Sequence, residues 1–223
     1  MILSKLQSSG AGKPGFFAGL AAKILLVGAI ASLGLMTACA KKADPTAGEM
    51  TMGNPNAKVT LVEYASVACP ICAQVNATVI PEVRAKYIDT GKVLYVYKPM
   101  MTGNPSVATA GHLLAQCAGK DKYFDVIDAI MRSQKEMGGE ETGYSNARPV
   151  LWGIAQSVGM TQAQFNACIT DKKAIDTLKQ KMDTYMRVDK VDATPTFFVN
   201  GKRMTMVKGD ISDFDNAIQP LLK

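Results

Sequence analysis

Cys69 and Cys72 are separated by Pro70 and Ile71 in the stretch YASVACPICAQV, residues 64–75. Two sulfurs at that spacing can clasp a metal, staple a fold or exchange electrons. The thiolate is the nucleophile in disulfide exchange. A sulfur at the start of a helix faces unpaired backbone N–H groups and the positive end of the helix dipole, and both favour the charged form. Pro70 suits the first position of such a helix, because its missing N–H would be unpaired there anyway and its fixed φ matches the turn. Two intervening residues keep Cys72 within reach of a sulfur bonded to Cys69, so an intermolecular disulfide formed on Cys69 can be resolved from within the same turn.

The other cysteines bear on the choice. The chain has five: Cys39, Cys69, Cys72, Cys117 and Cys168. Setting Cys39 aside leaves four, an even number that fits two disulfides. Cys69–Cys72 is one pair, and Cys117–Cys168 is the other unless a strained alternative wins. That second bond would close a loop of about 50 residues, worth about 4 kcal/mol if its effect is entropic. Zinc is the rival reading, but structural zinc sites usually bring two close-spaced pairs or added histidines. Only one pair is close here. The single histidine, His112 in AGHLLAQCAG, sits in an expected helix and reads as a surface or packing residue. No metal site is expected.

The positioning elements follow from pattern. The N-terminus carries Lys5, Lys13 and Lys23, then the apolar run ILLVGAIASLGLM at residues 24–36, then Thr37-Ala38-Cys39. This is the layout of an export signal over residues 1–38, with an apolar run short for a bilayer span. LMTAC resembles a lipoprotein box, in which the cysteine is lipidated and becomes the mature N-terminus; ordinary cleavage nearby, with Cys39 incidental, stays open. Export implies an oxidising compartment where disulfides persist. The formal charge of +6 drops to +3 without the three leader lysines. That balance, without an Arg-rich aromatic stripe, gives no reason to expect nucleic acid as a partner.

Residues 39–53 read as a tether, with a short strand over residues 49–52. Residues 59–65, VTLVEYA, form an apolar β-branched strand. After the cysteines a helix is expected to about Asp89, kinked by Pro81 and stopped by Gly91. Residues 92–98 form the next strand. A CxxC at the strand-to-helix junction of a βαβ unit reads as a redox site. Helical patterns then cover residues 107–118, 123–134, 150–158, 162–169 and 172–188, too long a block for one connecting helix. Strands return at residues 196–199 and 203–207 around an Asn200–Gly201 turn, and a last helix spans about 211–221.

TLVEYASVACPICAQV, followed about a hundred residues later by VDATPTFFVNGKRM, strongly resembles the DsbA-like thiol–disulfide oxidoreductases of the thioredoxin-fold superfamily. The resemblance runs from about Asn54 to the C-terminus. It implies an α/β thioredoxin fold, residues 54–104 and 189–223, with an inserted helical subdomain at residues 105–188. It makes Cys69 the exposed nucleophile and Cys72 the buried resolving cysteine. Pro195 corresponds to the family's cis-proline, with Thr194 before it, and Glu63 to a buried acid that could exchange a proton with Cys72. Thr194 and Pro195 would offer backbone to an extended substrate peptide, beside Pro70 and Ile71. No cofactor is implied beyond the redox-active Cys69–Cys72 disulfide. Partners would be exported proteins bearing cysteines and a membrane or soluble redox protein that recycles the disulfide. The sequence departs at Ile71, where strongly oxidising members carry His, and at Thr194, where those members often carry Val. Dithiol oxidation at a periplasmic, lipid-anchored site is the expected activity. Isomerase or reductase action is the alternative within the fold, and a metal-binding or holdase module the alternative outside it.

Overall fold

The computed structural model describes residues 44, 46–138 and 143–223. The leader and Cys39 lie outside these residues. Five strands form one sheet in the order β1-β3-β2-β4-β5. The centre is β2 (Val59–Ala65) paired in parallel with β3 (Val93–Pro99), Leu61 opposite Tyr95 and Glu63 opposite Tyr97. Strands covered on both faces read as near-continuous apolar runs, as VTLVEYA and VLYVYKP do. β1 (Met50–Gly53) adds antiparallel to β3, and β4 (Thr196–Val199) antiparallel to β2.

The outer strand β5 is Lys202–Arg203 only, shorter than the strand expected over residues 203–207. At the far end of the expected span the Asp213 carboxylate accepts from the backbone N–H of Val207, and from those of Lys208 and Gly209 beyond it. Those amides serve the start of α8 (Ile211–Leu222) instead of a sheet ladder.

The helix after the cysteines divides. α1 is Pro70–Thr78 and α2 is Ile80–Val83, followed by a π-helical turn at Arg84–Ile88. The break falls at Val79 because Pro81 has no N–H and its ring crowds the carbonyl four residues back. Five helices then separate β3 from β4: α3 (Pro105–Cys117), α4 (Tyr123–Arg132), α5 (Ala147–Ser157), α6 (Gln162–Ile169) and α7 (Lys172–Arg187). Asn104 caps α3 by accepting from the Ser106 and Val107 N–H groups, and Thr161 with Gln164 closes a capping box on α6. The fold is a thioredoxin fold carrying this helical insertion.

The sheet has two cores. One face packs Leu61, Tyr95, Tyr97 and Phe197 among the insertion helices, α1 and α8. The other holds Val62, Tyr64, Val96 and Tyr185. On that second face Lys98 is buried with its charge satisfied. Its Nζ donates to Tyr64 Oη at 3.1 Å and to Asp189 Oδ2 at 3.2 Å, and lies 5.0 and 4.9 Å from the Tyr64 and Tyr185 ring centroids. This network ties the end of α7 to the sheet just before the segment that leads into β4.

His112 is fully buried, not on the helix surface. Nε2 pairs with the Met100 carbonyl at 3.0 Å and the ring packs near Tyr97. Cys117 and Cys168 are joined, linking the C-terminal end of α3 to α6.

Candidate active site

Cys69 is the N-cap of α1, with backbone angles in the extended region and Pro70 at the first helical position. Its sulfur accepts from the Cys72 N–H at 3.4 Å. As a thiol it also donates to the Thr194 carbonyl at 3.6 Å. The Thr194–Pro195 bond is cis, and it is the Thr194 carbonyl that faces the sulfur. Cys69 and Cys72 are unbonded. Cys69 is only 7% exposed, less open than the exposed nucleophile expected from sequence, because the Thr194 turn covers it. Cys72 is wholly buried, whereas Ile71 is 57% exposed.

The two thiols differ in acidity. The Cys69 thiol is held down at about 5. Its hydrogen bond with the Cys72 thiol is the largest cause, and Thr194 and the Cys72 and Ile71 amides add to it. Burial works against this. The Cys72 thiol is pushed well above the usual thiol range, first by burial and then by its place beside Cys69. The deep sulfur holds its proton while the outer one gives it up, a split set by environment.

Glu63 is 2% exposed on β2, six residues before Cys69. Burial raises its carboxyl to about 7, while a hydrogen bond from Tyr95 pulls it down. It can thus hold or release a proton near neutral pH.

Residues that no motif marks fix the loop before Cys69. Ser66 Oγ donates to the Thr102 carbonyl at 2.7 Å and accepts from the Ala68 N–H at 3.2 Å. The Thr102 and Thr194 hydroxyls meet at 2.5 Å, so this loop and the cis turn are braced together. Gly103 has φ +76°, and a Cβ there would fall 2.2 Å from the Ala68 carbonyl oxygen, so glycine is required beneath the site. Gln134, just after α4, donates to the carbonyls of Val67 at 2.7 Å and Cys69 at 3.1 Å. The insertion thereby grips the active-site loop. Gln134 marks the end of an expected helix in the sequence, but nothing local indicates its partners 65 and 67 residues away. Among the described residues, no group of three or more His, Cys, Asp or Glu could hold a metal ion.

A sequence model of the thioredoxin family matches residues 45–219. The chain belongs to the thioredoxin family. It is 33% identical over 153 residues to a candidate protein-disulfide oxidoreductase of Rickettsia bellii (strain RML369-C), covering 69% of this chain and 57% of that protein. A similarly named protein of Rickettsia felis (strain ATCC VR-1525 / URRWXCal2) is 33% identical over 154 residues, 69% of this chain and 53% of that one. The chain thus spans little more than half the length of these curated relatives. Among solved structures, Wolbachia pipientis alpha-DsbA1 superimposes with a TM-score of 0.66 at 26% identity, covering 78% of this chain and 90% of that one. BdbD from Bacillus subtilis (oxidised) gives 0.68 at 20% identity, covering 79% and 94%, a likeness of fold.

Proposed function

We propose that this protein is an exported protein-disulfide oxidoreductase that passes its Cys69–Cys72 disulfide to dithiols in other exported proteins. The observation that carries the reading is the unequal pair at the start of α1: the N-cap Cys69 sulfur, which accepts from the Cys72 N–H and is held down at about 5, and the deeper Cys72 sulfur, pushed up. A substrate thiolate attacks Cys69 Sγ, the Cys69–Cys72 bond breaks, and Cys72 leaves and takes a proton. Glu63 is the acid proposed to supply it. A second substrate thiolate then attacks the substrate sulfur of the intermolecular disulfide, and Cys69 departs as a thiolate. Two electrons pass from the substrate to the pair. Because the reduced site stabilises Cys69 as a thiolate, its disulfide is disposed to accept electrons, which supports the oxidising direction over reduction or isomerisation.

Thr194 and Pro195 would pair with an extended substrate backbone, with Ile71 and Pro70 at its side. A second redox protein, membrane-bound or soluble, would restore the disulfide. The leader pattern supports export to the periplasm with lipid on Cys39. Among the described residues, no helix is long and apolar enough to cross a membrane.

The test is Cys72→Ala in cells. Without the resolving sulfur, intermolecular disulfides should accumulate on Cys69, and mass spectrometry should find substrate peptides joined there. The same spectra read the mature N-terminus, where a lipid on Cys39 is expected. Adducts on neither cysteine, or in Cys69→Ala on Cys72 at equal yield, would contradict the assignment.

A further inference from the structure

Glu63 and Tyr95 meet inside the molecule, away from the substrate face. In the parallel β2–β3 register Glu63 lies opposite Tyr97, and Tyr95 is opposite Leu61. Tyr97 donates to the Ala65 carbonyl at 3.2 Å. Tyr95, on the same face and two residues back, reaches diagonally and donates its hydroxyl to Glu63 Oε2. Its ring is packed against Phe124 of α4, centroids 5.8 Å apart, so the hydroxyl is aimed by packing.

The titratable groups around Glu63 are Tyr95 and Tyr97 on β3, Tyr123 on α4, His112 on α3 and the two sulfurs at the head of α1. Tyrosines are neutral at pH 7, and burial keeps His112 uncharged. Lys98 is on the opposite face of the sheet, engaged with Tyr64 and Asp189. None of these groups brings a positive charge to Glu63. A buried carboxylate without a cation depends on hydrogen-bond donors for its ionised form.

We propose that Tyr95 is a positioning residue for the exchange reaction: its hydroxyl holds the Glu63 carboxylate and so sets the pH at which that acid gives Cys72 its proton. The proposal rests on the reading of Glu63 as proton donor. When Cys72 leaves the disulfide it gains one proton and Glu63 loses one; the phenol keeps its own and goes on donating to the new carboxylate. The Tyr95 proton is itself hard to lose, because burial and then Glu63 push its acidity far down. Tyr95 therefore acts as donor and not as acid.

The experiment uses the mature chain in three forms: parent, Tyr95→Phe and Glu63→Gln. Carbon-13 NMR of labelled glutamate reads the Glu63 titration directly. Stopped-flow reduction of the Cys69–Cys72 disulfide by dithiothreitol reads the pH profile of the step that releases Cys72. Tyr95→Phe keeps the ring and removes the donor. It should move the Glu63 inflection upward by about one pH unit or more, the size of a hydrogen bond to a charged group, and the rate profile should move with it. A merely structural role would lower stability and leave both inflections in place, which would overturn the proposal while sparing Glu63. Glu63→Gln should erase the inflection in rate. Its persistence would overturn the reading of Glu63 and the proposal together. Should Tyr95→Phe fail to fold, a fluorinated tyrosine installed at position 95 donates more strongly and must move the Glu63 inflection downward; no movement, or an upward one, overturns the proposal.

Discussion

At the scale of single residues, the site works by unequal environments for like groups. Cys69 has amides and the Cys72 thiol around its sulfur, whereas burial first and then the neighbouring Cys69 sulfur oppose ionisation of Cys72. Ile71, exposed between them beside Pro70, adds no charge. Ile71→His should lower the Cys69 pKa further, because an imidazolium at a helix start stabilises the neighbouring thiolate. The reduced form gains by the same amount, so the disulfide becomes more oxidising, by about 30 mV for each 1.4 kcal/mol. Ultraviolet thiolate titration beside a glutathione titration measures both. Movement of neither would mean that Ile71 does not tune the site, and Thr194, bonded to the sulfur from the other side, would take that role. Cys69, Pro70 and Cys72 were legible because a helix start, a proline at its first position and a paired sulfur are local signals. Tyr95 on Glu63, Thr102 on Thr194 and Gln134 on Cys69 were not, since their partners are 32, 92 and 65 residues away. Such contacts follow from strand register and helix docking, which no short motif encodes.

At the scale of elements, the insertion does two jobs. The turn after α4 hands Gln134 to the active-site loop, and the Cys117–Cys168 bond fastens α6 to the end of α3. The bond joins residues 51 apart in sequence. Cys117→Ala with Cys168→Ala should lower unfolding free energy by up to about 4 kcal/mol in the loop-entropy account. Exchange at Cys69 should persist, because neither sulfur touches that site. Urea unfolding with a parallel exchange assay checks this, and loss of exchange in a folded double variant would contradict it. Element boundaries were mostly legible from apolar pattern and capping residues. β5 was not, because the Asp213 carboxylate takes the Val207 amide at the far end of the expected strand, together with those of Lys208 and Gly209 just beyond it.

At the scale of the whole molecule, buried ionisable groups on the insertion side of the sheet couple stability to pH with opposite signs. Burial holds the His112 imidazole down at about 4, below its ordinary value of 6.5. The unfolded chain binds that proton more readily, so His112 removes stability as pH falls below 6.5, and the loss levels off below about 4. The ceiling is on the order of 3 kcal/mol. Glu63 runs the other way. Its carboxyl is raised from 4.5 to about 7, so folding gains as pH falls from 7 to 4.5. His112→Gln should therefore lose less stability than the parent between pH 7 and pH 4.5, and Glu63→Gln should lose more. Chemical unfolding across that range measures both slopes. Equal slopes in all three proteins would contradict the assignment.

The proposed redox function also belongs to the whole molecule, since β2, α1, the cis turn before β4 and the insertion all converge on one sulfur. The direct measurement is the reduction potential of the Cys69–Cys72 pair, by glutathione titration with mass-spectrometric counting of thiols. A dithiol oxidase with a stabilised Cys69 thiolate should lie above about −200 mV, towards the oxidising end of the thioredoxin-fold range. A value near −270 mV, typical of a thioredoxin reductant, would contradict the account, because the disulfide would then have no drive to pass to its substrates.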